Sequence, residues 1–281
     1  MNMLEKYTSY KLISKHCPSL ASLCASSEKR WARMDLRAND RYTHFSNRLL
    51  QTGEFRYETH ILDLILLAEK ENDSFCISFL RYLDGVFGNI ENNIPNNIKN
   101  QLNAPLFDLL ENFDNNQSRY LDRLGEFLNL ERFLLSADLV LERIEVPTIA
   151  GTSLDFQLCN RLSKEIIKVE VMNVHLDAKK LQSEYNLKHF FGARLAKKYE
   201  AKKLPQPPDS EIAIVLVLWG DFLSLVDYEP FFSDQNSFDG YPIIFTNLTQ
   251  YRSSEYEWLF KFNTTGNILK EYITKTRLDG V

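Results

Sequence analysis

The sequence predicts a mixed α/β protein with an N-terminal helical domain, about residues 1–115, and a second domain of helices and strands over residues 116–281. Two observations lead to this prediction. In the first half of the chain, apolar residues recur at intervals of three and four, which is the period of an amphipathic helix. In the second half, several short segments alternate between apolar and polar residues, as strands do.

The composition is that of a folded protein rather than a disordered one. The chain has 281 residues, of which 44% are hydrophobic and 25% charged, enough for two modest domains with separate cores. Its longest apolar run, Ile212 to Gly220, is far shorter than the roughly 20 residues that cross a bilayer. The N-terminus lacks the apolar stretch of a secretory signal. We therefore expect a cytoplasmic protein without a membrane segment.

The four cysteines indicate neither a disulfide framework nor a zinc site. Cys17, Cys24, Cys76 and Cys159 are widely spread and form no CxxC pair. We expect free thiols in a reducing compartment.

In the first half, Phe55 to Glu69 and Phe75 to Phe87 show the clearest helical periodicity. The stretch from Asn89 to Asn116 contains ten asparagines, together with Pro95 and Pro105. It is predicted to be a loop around a short helix, with the domain boundary near its end. We expect the helical domain to bind a protein partner or to have a regulatory role.

The second half is predicted to follow the order α-β-β-β-α-β. Its six elements are Ser118–Ala137 (helix), Leu139–Val146, Ser153–Leu158 and Glu165–Val174 (strands), Ala178–Lys202 (a basic helix), and Ile212–Leu218 (a strand buried on both faces). Tyr241 to Asn247 and Glu257 to Phe262 are expected to add edge strands. These elements would form one mixed sheet.

Two acidic residues lie inside apolar strands. Asp155 stands between Leu154 and Phe156, and Glu170 is flanked by valines in the next strand. An ionised carboxylate in a strand core is costly unless it is paired, and a divalent cation is one efficient partner. Two such residues on adjacent strands indicate a shared ligand. Either residue alone is equally compatible with the solvent face of a half-exposed sheet.

The order of these motifs resembles the core of the PD-(D/E)XK, or restriction-endonuclease-like, nuclease superfamily. Members typically have a glutamate on the first helix, an aspartate on a hairpin strand and a (D/E)-x-K motif on the next strand. Glu126, Asp155 and Glu170 match the three acidic positions, and Met172 stands where the lysine belongs. The resemblance covers about fifty residues. It implies a restriction-endonuclease-like core in the second domain.

The resemblance also implies a chemistry. Glu126, Asp155 and Glu170 would hold Mg²⁺ or Mn²⁺, which polarises a scissile phosphate and generates hydroxide from a bound water. Met172 cannot replace the lysine, because a thioether has no proton to donate and is a weak acceptor. Glu131 is a second candidate on the same helix. Amphipathicity slightly favours Glu131, whereas the resemblance selects Glu126.

Three outcomes remain open for the missing lysine. Lys168 lies two residues before Glu170, roughly 6.6 Å along the strand, and is expected on the same strand face. Alternatively, a cation of the following helix reaches the site. In the third outcome, the domain has lost catalysis and kept its fold. The helix candidates are Lys188, Arg194, Lys197 and Lys198.

The charge distribution is compatible with a nucleic-acid partner. The whole chain has a net charge of -5, but the segment from Arg161 to Lys203 carries eleven basic and five acidic residues. Lys188, Arg194, Lys197 and Lys198 would contact the polyanion, although a solvated helix face gives the same count. Tyr185, His189 and Phe190 either stack on bases or pack in the core.

No phosphate-binding glycine loop, GxSxG or HExxH motif occurs in the sequence. The sequence therefore predicts a metal-dependent, nuclease-like protein that acts on DNA or RNA. The alternative is a catalytically inactive nucleic-acid-binding or scaffolding protein that retains the nuclease fold. A purely structural α/β domain with accidental motif similarity is a third interpretation.

Overall fold

The structure is a computed structural model, and it describes most of the chain. The described residues are 3–24, 28–52, 60–111, 119–148, 151–176, 183–204, 211–219, 231–232, 237–238, 241–253 and 257–264. The start of the helix predicted at Phe55, the start of the one predicted at Ala178 and the tip of the turn after Pro147 lie outside these ranges.

The mixed α/β class is confirmed, with helices first and strands later. The helices of the first part are α1 (Thr8–His16), α2 (Pro18–Leu23), α3 (Glu28–Thr52), α4 (Ile61–Lys70), α5 (Ser74–Asn93), α6 (Asn103–Glu111) and α7 (Arg119–Leu134), with short 3-10 helices at Met3–Lys6 and Lys99–Leu102. Helix α6 is the short helix expected in the asparagine-rich stretch. Among the described helices, none is long and apolar enough to span a membrane.

Local signals place the beginnings of several helices. The carboxylate of Asp73 accepts a hydrogen bond from the backbone N–H of Cys76 and so caps α5. His60 Nδ1 accepts from the N–H of Leu62 at the start of α4. Pro18 occupies the first turn of α2, where its missing N–H costs nothing.

The core of the helical part is built around Trp31, which is fully buried. Its ring meets Tyr10 and Phe107 edge-on, with centroids 5.1 and 5.8 Å away. Cys17, Cys24 and Cys76 are buried free thiols in this part of the chain, and Cys159 is a partly buried one in the strand region. Burial raises the pKa of Cys76 to about 12. A buried thiol of this kind is inert at neutral pH.

The described elements of the second part are one long helix and the strands. They are β1 (Leu139–Pro147), β2 (Ser153–Asn160), β3 (Ile166–His175), α8 (Glu184–Lys202), β4 (Ile212–Trp219), β5 (Ser237–Phe238), β6 (Tyr241–Arg252) and β7 (Trp258–Thr264). Together with α7, the elements run α-β-β-β-α-β in the predicted order.

The strands form one mixed sheet in the order β1-β2-β3-β4-β6-β5, with β7 also paired to β6. The pairs β1–β2 and β2–β3 are antiparallel, whereas β3, β4 and β6 run parallel to one another. The prediction that β4 is buried on both faces is confirmed. The prediction that Tyr241 to Asn247 forms an edge strand is wrong, because β6 lies between β4 and β5 and buries Ile243 and Phe245.

Contacts divide the chain into two compact units. The first comprises Met1–Ser136 and Tyr251–Leu259, and the second comprises Ala137–Gln250 and Phe260–Val281. Helix α7 therefore belongs with the N-terminal helices, whereas the sequence placed it in the second domain. Its apolar residues explain the difference, since Phe127 packs against Phe87 of α5 at 5.4 Å between ring centroids.

In the second unit, α8 packs on the sheet through side chains spaced four residues apart. Leu187, Phe191, Leu195 and Tyr199 are buried in a cluster that also contains Met172 of β3. A left-handed Lys203 ends the helix, and the N–H of Leu204 returns to the carbonyl of Tyr199. Lys188, Arg194 and Lys197 of the same helix are exposed.

Candidate functional site

Glu170 lies on β3 and is fully buried, in spite of its charge. In the parallel register it pairs with Ile214 of β4, and Met172 pairs with Leu216. Directly paired residues share a sheet face. Since Met172, Ile214 and Leu216 all belong to the cluster under α8, the Glu170 side chain projects toward that helix.

Two lysines of α8 meet this carboxylate. Lys198 Nζ lies 2.5 Å from Oε1 of Glu170, and Lys202 Nζ lies 3.1 Å from the same oxygen. The two lysines are four residues apart and therefore occupy one side of the helix. Both remain partly exposed, with 26% and 20% of their side-chain surface accessible. Their long stems let a surface helix deliver positive charge to a buried acid.

The ion pairs leave the hydrogen-bonding capacity of Glu170 unused. Among the described residues, neither carboxylate oxygen has a partner in hydrogen-bond geometry, although Oε1 has the two close ammonium groups. Lys198 and Lys202 therefore interact with Oε1 through their charges. The second oxygen, Oε2, is thus a buried acceptor without a partner in the described part of the chain.

Asp155 lies where the pairing of β2 with β3 ends. The last regular pair is Phe156 with Val169, and immediately beyond it Asp155 Oδ2 accepts from the backbone N–H of Val171 at 2.6 Å. The Asp155 carboxylate thereby accepts the hydrogen bond from Val171 that a backbone carbonyl of a paired strand would otherwise accept. Because this N–H directly follows Glu170 in the chain, covalent dimensions limit the separation of the two carboxyl groups to about 10 Å.

Lys202 connects the two strands at this point. Besides its contact with Glu170, its ammonium donates a hydrogen bond to the backbone carbonyl of Ser153 on β2. The site therefore contains two acids, Asp155 and Glu170, and two lysines, Lys198 and Lys202. We call these four residues the acid–lysine cluster. Without any ligand, its formal charges cancel.

The other predicted residues have ionic or hydrogen-bonding contacts of their own. Lys168 Nζ lies 2.8 Å from Glu211 Oε2, so its charge is directed to the residue just before β4. Glu126 belongs to the first unit, where its carboxylate accepts from Arg123 at 2.7 Å. Glu131, also on α7, accepts from the side-chain amide of Asn89 at 2.6 Å.

Met172, which stands where the resemblance leads us to expect a lysine, is 6% exposed. It lies in the apolar cluster under α8 and also forms part of the wall of an open groove of about 940 Å³. The groove runs along α8, and its wall includes Asn186, His189, Phe190, Arg194, Lys197 and Lys198. Lys188 is exposed on the same helix and is not part of this wall.

Of the four helix cations predicted to reach the site, Lys198 is the one that contacts Glu170 among the described residues. Lys202 was missed. The sequence did contain a signal for it, since a residue four positions after Lys198 lies on the same side of a helix. The other two predicted cations of the groove, Arg194 and Lys197, are exposed.

Carboxylate oxygens are the ligands that Mg²⁺ and Mn²⁺ prefer. Asp155 and the unpartnered Oε2 of Glu170 fit such an ion in residue type and burial. Within the described ranges, no group of three or more acidic, histidine or cysteine side chains lies close enough to hold a metal. Within the acid–lysine cluster, Asp155 and Glu170 are the two residues that would hold such an ion.

Comparison with known proteins gave no family assignment: no family model matches the chain, and no curated protein or solved structure matches it significantly.

Proposed function

We propose that the chain is a metal-dependent nuclease-like protein that acts on the phosphodiester bonds of DNA or RNA, with Lys198 in the role that the resemblance assigns to the residue at position 172. The observation that carries the proposal is the contact of Lys198 with the fully buried Glu170. Asp155 lies beside Glu170, where the pairing of β2 with β3 ends. This placement supplies the positive group that Met172 lacks.

Each protein group would have a distinct task. Asp155 and Glu170 would hold Mg²⁺ or Mn²⁺, and the Val171 N–H keeps the Asp155 carboxylate oriented. The bound ion would polarise the phosphate and activate a water molecule. Lys198 would then contact a phosphate oxygen and stabilise the charge that develops on it. Lys202 would keep β2 and β3 joined through its contacts with Ser153 and Glu170.

The charges of the site suit this assignment. Two carboxylates and two ammonium groups sum to zero, so a divalent cation would make the cluster doubly positive. A positive, partly buried site favours a phosphate anion. The free thiols and the proposed substrate agree with the cytoplasmic location that we propose for the protein.

A second candidate is an inactive nucleic-acid-binding or scaffolding protein that keeps the nuclease fold. The same ion pairs favour it, because Lys198 and Lys202 already compensate the Glu170 charge without a metal. In that case the acid–lysine cluster would only fasten α8 to the sheet.

Cleavage assays separate the two candidates. The full chain is incubated with end-labelled single- and double-stranded DNA and RNA, in Mg²⁺, in Mn²⁺ and in EDTA. We expect cleavage that needs the metal and that falls by about 10²-fold or more in Asp155→Asn, Glu170→Gln and Lys198→Met. Arg161→Gln, an exposed arginine between β2 and β3, is the matched control and should not change the rate. Absence of cleavage of all four substrates, or cleavage indifferent to the three variants, would overturn the nuclease proposal.

A further inference from the structure

The outer surface of α8 combines exposed aromatic rings with exposed cations. Tyr185 and His189 stack nearly parallel, with centroids 6.4 Å apart and an interplanar angle of 7°. Tyr185 is 77% exposed, which excludes the core-packing interpretation for this ring. The pair lies about one to three helical turns before Arg194 and Lys197 on the same groove-lining helix.

The groove has two chemically different ends. At one end, His189 of the groove wall stacks with Tyr185. At the other end, the wall contains Lys197 and Lys198, and Lys198 is also a member of the acid–lysine cluster. His189 and Lys198 are nine residues apart, which corresponds to about 13 Å along a helix axis. Such a layout offers stacking surface to a base and positive charge to phosphates of the same strand.

We infer that this groove, together with the Tyr185–His189 ring pair beside it, binds single-stranded nucleic acid, with an unpaired base on the exposed ring of Tyr185 and the backbone phosphates on Arg194 and Lys197. The inference rests on the proposed function and names the form of its substrate. Within a duplex, each base is covered by its neighbours and cannot lie flat on a protein ring, whereas an unpaired base can.

Phe190 supports the phosphate end of the groove. The Arg194 guanidinium lies over its ring, 5.0 Å from the centroid, so the arginine is positioned by its own helix while its charge remains accessible. Positive charge held in this way recognises any nucleic-acid backbone. Single-stranded DNA and single-stranded RNA are therefore the two sources to be compared.

The test measures binding without cleavage. Fluorescein-labelled oligo(dT) and oligo(rU) of about 15 nucleotides and a duplex of the same length are titrated with the full chain in EDTA, and anisotropy is recorded. We expect both single strands to bind more tightly than the duplex. Tyr185→Ala should weaken single-strand binding about tenfold, whereas Tyr185→Phe should retain it because the ring is kept.

The phosphate contacts have a separate readout. For Arg194→Gln, the slope of log K against log salt concentration should fall by about 0.7, the value for one contact with a single strand. Arg161→Gln, which lies outside the groove, should leave the slope unchanged. A duplex that binds as tightly as the single strands, a Tyr185→Ala variant of full affinity, or absence of binding to all three probes would overturn the inference.

Failure of this inference differs from failure of the proposed function. If single strands bind in a Tyr185-dependent way but are not cleaved in the presence of metal, the binding inference stands and the nuclease proposal is wrong. If cleavage needs metal and Glu170 but prefers duplex substrates, the nuclease proposal stands and the single-strand inference is wrong.

Discussion

Lys198 Nζ lies 2.5 Å from Oε1 of Glu170, which joins a partly exposed cation of α8 to a fully buried acid of β3. Lys202 approaches the same oxygen from one helical turn further on. A buried charge that loses its partners is strongly destabilising, whereas replacement of the whole pair is often neutral. Stability measurements can therefore test this relationship without any substrate.

We first predict the effect of removing the two lysines. Lys198→Met and Lys202→Met together should lower the free energy of unfolding by about 3–5 kcal/mol, because Glu170 would be left uncompensated. Each single variant should have a smaller effect, since one lysine remains. Urea denaturation at neutral pH measures the difference. Adding Glu170→Gln to the double variant should recover most of the loss, and a double variant as stable as the parent would contradict the assignment.

The second prediction concerns the lysine position itself. The proposed role of Lys198 predicts that Met172→Lys restores part of the cleavage rate that Lys198→Met should remove, because a lysine at position 172 would extend from β3 into the groove along α8. The comparison is between Lys198→Met and the double variant Met172→Lys, Lys198→Met, at equal metal concentration. Met172→Leu in the same background is the matched control and should give no rescue. A double variant no faster than Lys198→Met, with the folded state intact by circular dichroism, would argue against the shared role.

The third prediction separates the structural and chemical tasks of Asp155. Asp155→Asn keeps an oxygen that can accept from the Val171 N–H, so stability should change little while metal-dependent activity is lost. Asp155→Ala should in addition cost about 1–3 kcal/mol, because that buried N–H would lose its acceptor. Thermal unfolding and cleavage measured on both variants check the two effects. Equal activity of Asp155→Asn and the parent chain would remove Asp155 from the proposed metal site.

The fourth prediction concerns pH and Glu131 on α7. Burial raises the pKa of this carboxyl group, in spite of the hydrogen bond from Asn89. The folded state thus favours the protonated carboxyl group of Glu131. The contribution of this preference to the free energy of unfolding is present at low pH and is lost as the pH rises above 4.5, the ordinary pKa of a glutamate. Glu131→Gln should therefore stabilise the protein at pH 7 and have little effect near pH 4.

Denaturation curves between pH 4 and 8 test this sign. Glu71→Gln, at an exposed glutamate that follows α4, is the control and should show no such trend. A Glu131→Gln variant whose advantage shrinks as the pH rises would show that Glu131 is stabilised in its ionised form.

Helical and strand periodicity in the sequence was sufficient to predict the mixed α/β class, the α-β-β-β-α-β order and the burial of β4. These features follow from local repetition, since a side chain's position on a helix or strand depends on its spacing from its neighbours. The same local pattern marked Asp155 and Glu170 as unusual acids. It misjudged β6, because the place of a strand within a sheet depends on which other strands pair with it.

Only the tertiary structure decided which cation meets Glu170. From the sequence, Lys168 was the nearest candidate, two residues away on the same strand, but in the folded chain it pairs with Glu211. Lys198 is 28 positions further along the chain, and packing of the apolar face of α8 on the sheet brings it to Glu170. Contacts of this kind result from how two elements dock, which depends on side chains far apart in the sequence.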